Sequence, residues 1–182
     1  MTRVPLTRER ILRAALDLID REGLDALTMR RLGAELGVEG MAIYRHLSSK
    51  AELLDGVVEL LLEEIEVPDA GAQAWTDAWI AIARSYRRLA LSHPGAFRLL
   101  ALRPMRTAAR FDRAQAPVAI LREAGFDDEH AQLAFRTLLS YADGFLLREL
   151  AERRGDVAPE EPDAAFDFGI RSILAGLRHE AA

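Results

Sequence analysis

Four side chains able to recognise a polyanion fall within seven residues: Tyr44, Arg45, His46 and Lys50. Just before and among them, Leu32, Leu36, Val38, Ile43 and Leu47 have the spacing of a core shared by two short helices. Gly33 stands where a side chain would hold those helices apart, and Gly37 stands where the chain must turn through a left-handed conformation. The outer face of the second helix then carries Met41, Ala42, Tyr44, Arg45 and His46. In a major groove, Arg and His donate to base edges while Tyr and Lys reach phosphates. Paired short helices with glycine turns also occur in ordinary helical proteins, and a Tyr-Arg-His trio can be a solvated face. Spacing alone leaves both readings open.

Other chemistries find no constellation. The chain has no cysteine, so there is no thiolate nucleophile and no cysteine-based metal site. His46, His93, His130 and His179 show no ligand spacing, and there is no HExxH, GxSxG, phosphate-binding loop or dinucleotide fingerprint. Asp127, Asp128, Glu129 and His130 could imitate a metal cluster, but they read better as carboxylates complementing the dipole of a helix start. No enzymatic activity, cofactor or metal is expected. A helical scaffold that binds protein through the Tyr44 face is the alternative to a DNA reader.

The net charge of −5 conceals a split. Residues 1–50 hold nine Lys and Arg against seven Asp and Glu, and the remainder fifteen against twenty-two. A mildly basic head on an acidic body suits DNA at one end only. No apolar run approaches a membrane span or a signal-peptide core, so a cytoplasmic protein with no membrane partner is expected.

Apolar residues recur at helical spacing throughout and no stretch alternates with a period of two, which predicts an all-α chain. Thr7 caps a first helix ending at Gly23, and Thr28 caps a second ending at Leu36. A third runs from Gly40 to Leu47, and Ser49 with Glu52 has capping-box spacing for a fourth reaching Glu66. A loop at 67–74 precedes a helix over Trp75–Ser92, then a short one from Pro94 through Leu102. Further helices are predicted over Arg106–Ala124 with a kink at Pro117, from Asp127 or Asp128 to Arg154, and over Ala164–Arg178 after an acidic loop at 155–163.

Residues 7–62 resemble the DNA-binding head of the TetR family of bacterial repressors. The resemblance is carried by Glu22-Gly23 closing the first helix, by Leu27-Thr28-Met29-Arg30-Arg31-Leu32-Gly33, and by Tyr44-Arg45-His46-Leu47 followed by Lys50-Ala51-Glu52-Leu53-Leu54. It implies a three-helix helix-turn-helix domain at 1–50 and a helical ligand-binding and dimerisation body at 51–182. Thr28, Met29 and Arg30 would then lie near the DNA backbone and groove edge, and Gly40, Met41, Ala42, Tyr44, Arg45 and His46 on the recognition helix. Tyr44 and Lys50 match phosphate-holding positions. The implied function is a homodimeric regulator of double-stranded DNA with a palindromic operator, most simply a repressor released by a small molecule.

The body resembles the tetracycline repressor branch through Ser85-Tyr86-Arg87-Arg88, Gly95-Ala96 with Arg103-Pro104, and Phe166-Asp167-Phe168-Gly169-Ile170 with Gly176-Leu177. Where that branch carries a metal-binding His, the resemblance places Leu99, and its polar drug-contacting positions fall on Ile82 and Leu102. The implied effector is therefore apolar or aromatic and needs no metal. Its candidate contacts are Trp79, Ile82, Tyr86, Phe97, Leu99, Leu100, Phe111 and Phe135, though an aromatic at helical spacing is also ordinary core. The long helix is apolar nearly all round, and the last carries a stripe of small residues at Ala165, Gly169, Ser172 and Gly176. A dimer built through Leu139, Phe145, Leu146, Gly169, Ile173 and Gly176 is expected.

Overall fold

The structure, a computed structural model, describes residues 5–103, 108–153 and 162–178, except the side chains of 108–111 and 113. Among the described residues there are nine α-helices, one 3₁₀ turn and no strand. They gather into two compact units, Met1–Glu64 with His93–Thr107 and Ile65–Ser92 with Ala108–Ala182. By packing, the first unit thus takes in residues well beyond 50.

The first unit holds α1 (Arg8–Glu22), α2 (Met29–Leu36), α3 (Gly40–Ile43), α4 (Lys50–Glu63) and α6 (Phe97–Leu102). Its starts are set by caps. The Thr7 hydroxyl accepts from the Arg10 amide at 3.2 Å, Thr28 from Arg31 at 3.1 Å and Ser49 from Glu52 at 3.1 Å. The box at α4 is displaced by one residue, since the Glu52 carboxylate accepts from the amide and hydroxyl of Ser48, each at 2.7 Å. Ile11, Ala15 and Ile19, one stripe of α1, are fully buried together with Leu32, Ile43, Leu53 and Val57.

Where α6 begins, a polar junction ties three elements. His93 places Nδ1 at 2.6 Å from the Asp20 carboxylate of α1 and Nε2 at 3.1 Å from Glu64, the residue closing α4. The other Asp20 oxygen accepts from the Ala96 amide at 3.2 Å. Gly95 lies so close to α1 that a Cβ would overlap the Ile19 carbonyl oxygen. Arg103, at the other end of α6, donates to Asp55 at 2.6 Å and to the Ala51 carbonyl at 3.2 Å.

The second unit holds α5 (Trp75–Ser92), α7 (Ala108–Glu123), α8 (Asp128–Glu152) and α9 (Pro162–Leu177). Pro117 lies inside α7 as the sequence requires, and Asp127 rather than Asp128 caps α8, accepting from the His130 amide at 2.8 Å. The expected start at Arg106, end at Arg154 and acidic loop to residue 161 lie outside the described residues. The fourth helix stops at Glu63, short of Glu66, because the Glu66 amide leaves the helical pattern and donates to the buried Ser85 hydroxyl at 2.9 Å. At the centre of the unit, Glu149, with a side chain 2% exposed, accepts from Arg87 at 2.7 and 3.0 Å and from Arg153 at 2.8 Å. Arg87 also reaches Asp163 at 2.7 Å and lies 5.8 Å from the centre of the Phe166 ring, so one guanidinium joins α5, α8 and α9.

Burial pushes the His93 pKa down, but Asp20 and Glu64 outweigh it and hold the imidazolium above its ordinary 6.5. A raised folded-state pKa stabilises fully below the unfolded value, and the contribution is lost as pH rises through the folded one. The stability gap between wild type and His93→Gln, from urea unfolding at a series of pH values, should be widest at and below pH 6.5 and should close above it. A gap that does not vary with pH would contradict this assignment.

Candidate DNA-binding face and effector region

The recognition face depends on how closely two backbones approach. A Cβ on Gly33 would lie 2.8 Å from both the Gly40 nitrogen and the Val38 oxygen, and one on Gly40 would lie 3.0 Å from the Met29 oxygen. Between them Gly37 turns the chain at φ 68° and ψ 31°, and the Val38 amide donates to the Gly33 carbonyl at 2.9 Å. The resemblance places Gly40 on the recognition helix. It is pressed against the first turn of α2, so its lack of a side chain serves the crossing.

Regular α-helix covers only Gly40–Ile43, not Gly40 to Leu47. No side chain caps its start, and it tightens at once: the Arg45 amide bonds the Ala42 carbonyl at 3.3 Å and His46 bonds Ile43 at 2.9 Å. Ile43 and Leu47, 0% and 1% exposed, fasten this segment to the core. Met41 is 72% exposed and Tyr44 42%, Arg45 and His46 are exposed, and Ala42 is half-buried.

The charges divide into structural and available ones. Arg31 is bound to Glu22 at 2.5 Å and to Glu35 at 3.1 Å, and Arg21 reaches the same Glu35 at 3.2 Å, a network that fastens α2 to the end of α1. The Arg31 guanidinium beside Glu22 holds that carboxyl below its usual range. Exposed Arg30 and Arg45 make no ion pair with any described residue. Lys50, the only lysine in the sequence, donates to the Leu27 carbonyl at 2.6 Å, which leaves two ammonium N–H groups outward. Thr28 uses its hydroxyl on the α2 cap, and Met29 behind it is half-buried. A surface groove of about 520 Å³ is lined by Ala42, Arg45 and His46 together with Arg10. Sequence reasoning missed Arg10, which as a member of the first helix gave no sign of lying there.

The effector candidates fall in both units. In the second unit, Trp79, Ile82 and Tyr86 form one buried stripe of α5. It meets α8 where Trp79 and Phe135 pack edge to face at 6.2 Å and the Tyr86 hydroxyl donates to Asp143 at 2.6 Å. Phe97, Leu99 and Leu100 are buried in the first unit, Phe97 completely, while Leu102 is 60% exposed. The side chain of Phe111 lies outside the described residues.

A helix-turn-helix with an outward Tyr-Arg-His face, on an otherwise helical chain, defines a DNA-binding regulator. Residues 11–57 match the model for bacterial regulatory proteins of the tetR family, and residues 79–173 match the tetracyclin repressor-like C-terminal domain. The chain belongs to the TetR family and is a DNA-binding transcriptional regulator, not an enzyme. It is 36% identical to the class A tetracycline repressor protein from transposon 1721 of Escherichia coli, over 92% of this chain and 88% of that one. Apo ActR of Streptomyces coelicolor superposes with a TM-score of 0.85 at 29% identity, covering 98% of this chain and all of that one. BioQ with its double-stranded DNA operator gives 0.80 at 27%, covering 96% and 99%.

Because the atoms facing Gly33 are backbone and cannot rotate away, Gly33→Ala should lower the unfolding free energy by about 1 to 3 kcal/mol. Urea unfolding measures this, and an unchanged midpoint would refute the crossing as described.

Proposed function

We propose that this regulator is a homodimeric repressor that grips a palindromic operator through two heads and releases it when an apolar or aromatic small molecule binds. The observation that carries the DNA reading is the exposed face of Met41, Tyr44, Arg45 and His46, with Arg30 and Arg45 making no ion pair among the described residues. Arg45, with Met41 and Ala42, reads base edges, while Tyr44, Lys50 and Arg30 hold phosphates and Thr28 and Met29 sit at the groove edge. That BioQ has been solved with its double-stranded DNA operator supports the DNA reading as such.

The dimer reading rests on two open faces of the second unit. On α8, Leu133 is 50% exposed in line with Thr137, Ser140 and Gly144, and on α9 Phe168 is 74% exposed beside Ser172 and Gly176. The hydroxyls of Thr137 and Ser172 bond back to the Leu133 and Phe168 carbonyls, at 2.9 and 2.8 Å, which leaves these faces less polar than their sequence. Nothing lies within 4 Å of a Cβ on Gly144 or Gly176. Two residues expected at this interface have a different place. Leu146 is 0% exposed in the core of its own unit, and Gly169 faces Tyr141 of its own chain so closely that a Cβ would overlap the phenol. Leu139, Phe145 and Ile173 are half-buried, and Phe145 packs on Phe166 at 5.2 Å. We therefore assign the interface to Leu133, Phe168 and Gly176, with Leu139 and Ile173 at its edge.

The effector reading is supported by the stripe of Trp79, Ile82 and Tyr86 against Phe135, and by the relatives. ActR has been solved with actinorhodin, and a TetR of Acinetobacter baumannii with minocycline. Release follows if the effector favours a head spacing that no longer fits both half-sites.

Two experiments test the proposal. Lys50→Ala and Tyr44→Phe should weaken binding to all DNA alike, Lys50→Ala lowering the salt slope by about one, whereas Arg45→Ala should change which operator is preferred. A Lys50→Ala protein with an unaltered slope removes Lys50 from the phosphate contacts. Phe168→Glu and Gly176→Leu should each give monomers in analytical ultracentrifugation and lower operator affinity with them. If both proteins stay dimeric, the interface lies elsewhere.

A further inference from the structure

Among the described residues, one buried side-chain polar atom has no hydrogen-bond partner, the indole Nε1 of Trp79. The residue is 4% exposed, so bulk water does not serve it. Two phenol hydroxyls of the same unit are satisfied. The Tyr86 hydroxyl has Asp143 at 2.6 Å, and the Tyr141 hydroxyl reaches the carbonyls of Ala165 and Phe166 at 3.3 Å. A buried tryptophan N–H almost always finds an acceptor, and leaving it without one costs the folded protein a hydrogen bond. A phenylalanine would have filled an apolar position beside Phe135 without that cost.

We infer that the Trp79 N–H is the specificity donor of the effector site, and that the effector is a neutral aromatic compound bearing a carbonyl oxygen. The inference rests on the effector reading above and adds the chemistry of recognition. The group is a donor with no acceptor capacity, so its complement is an oxygen acceptor and not an amine. Phe135, edge-on at 6.2 Å, and buried Ile82 supply apolar surroundings for a flat ring. The cations of α5 itself point to a neutral compound. Arg84 is paired with Asp167, Arg87 with Glu149 and Asp163, and Arg88 with Glu66, so none stands open for a carboxylate. A site whose donor is otherwise unserved discriminates against the analogue lacking the oxygen, because that analogue leaves the N–H as it was.

The test compares 1,4-naphthoquinone with naphthalene, which share an outline and differ in the two oxygens. The absence of cysteine means the quinone finds no thiol to arylate. Calorimetric titration of wild type should give about tenfold tighter binding of the quinone, the worth of one hydrogen bond. The Trp79 indole signal in a ¹H–¹⁵N spectrum, assigned by its disappearance in Trp79→Phe, should move downfield with the quinone and not with naphthalene. Trp79→Phe should bind both within about twofold, its naphthalene affinity reporting that the site still stands. Equal binding of the two compounds by wild type, or a quinone preference that survives Trp79→Phe, overturns the donor role while leaving an aromatic effector site in place. A Trp79 N–H that exchanges rapidly with water in the free protein also overturns it. If neither compound binds, the effector reading falls and this inference with it.

Discussion

At Gly33 the backbone of α2 and the backbone after its turn are separated by so little that no side chain fits between them. The presentation of the recognition face follows from that contact. With Gly33 and Gly40 bare, the two segments cross tightly enough for Ile43 and Leu47 to enter the core, and the residues between them must point outward. Because that segment is anchored at only two apolar positions, its helix tightens after one turn and still holds Tyr44, Arg45 and His46 in fixed directions. The Glu22, Arg31, Glu35 and Arg21 network then binds α2 to α1 and occupies two of the cations of the head.

The second unit solves a different problem, the packing of helices apolar over most of their surface. Arg87 and Glu149 provide the register. A buried carboxylate is tolerable only with its cations in place, so the pairing permits few arrangements of α5 and α8. With Glu149 desolvated, its pKa would rise, yet Arg87 and Arg153 draw it below the usual range and keep it ionised. Asp163 and Phe166 bring α9 to the same guanidinium. The faces left over carry Leu133, Phe168 and Gly176, which a partner can cover.

Much of this was legible in the sequence because it is local. Thr7, Thr28, Ser49 and Asp127 cap the helices they announce, and Gly33 and Gly37 mark the crossing and its turn. What was not legible depends on partners distant in the chain. The early end of α4 answers to Ser85, nineteen residues away, and Gly169 is small because of Tyr141, twenty-eight residues before it on another helix of the same chain. Leu146 sits on a helix apolar on several sides, where periodicity does not distinguish the intramolecular face from the open one. The α5 stripe of Trp79, Ile82 and Tyr86 follows from spacing, but its contact with Phe135 of α8 and the unserved indole N–H appear only in the folded chain.

The central claim is that two such heads, joined through α8 and α9, read DNA as a symmetric pair. The most direct measurement is selection of binding sites from random-sequence duplexes by the purified full chain. The account predicts enrichment of an inverted repeat whose half-site centres are about 34–36 Å apart, or a multiple of one helical turn. Recovery of a single asymmetric half-site, or of no sequence above background, would contradict it.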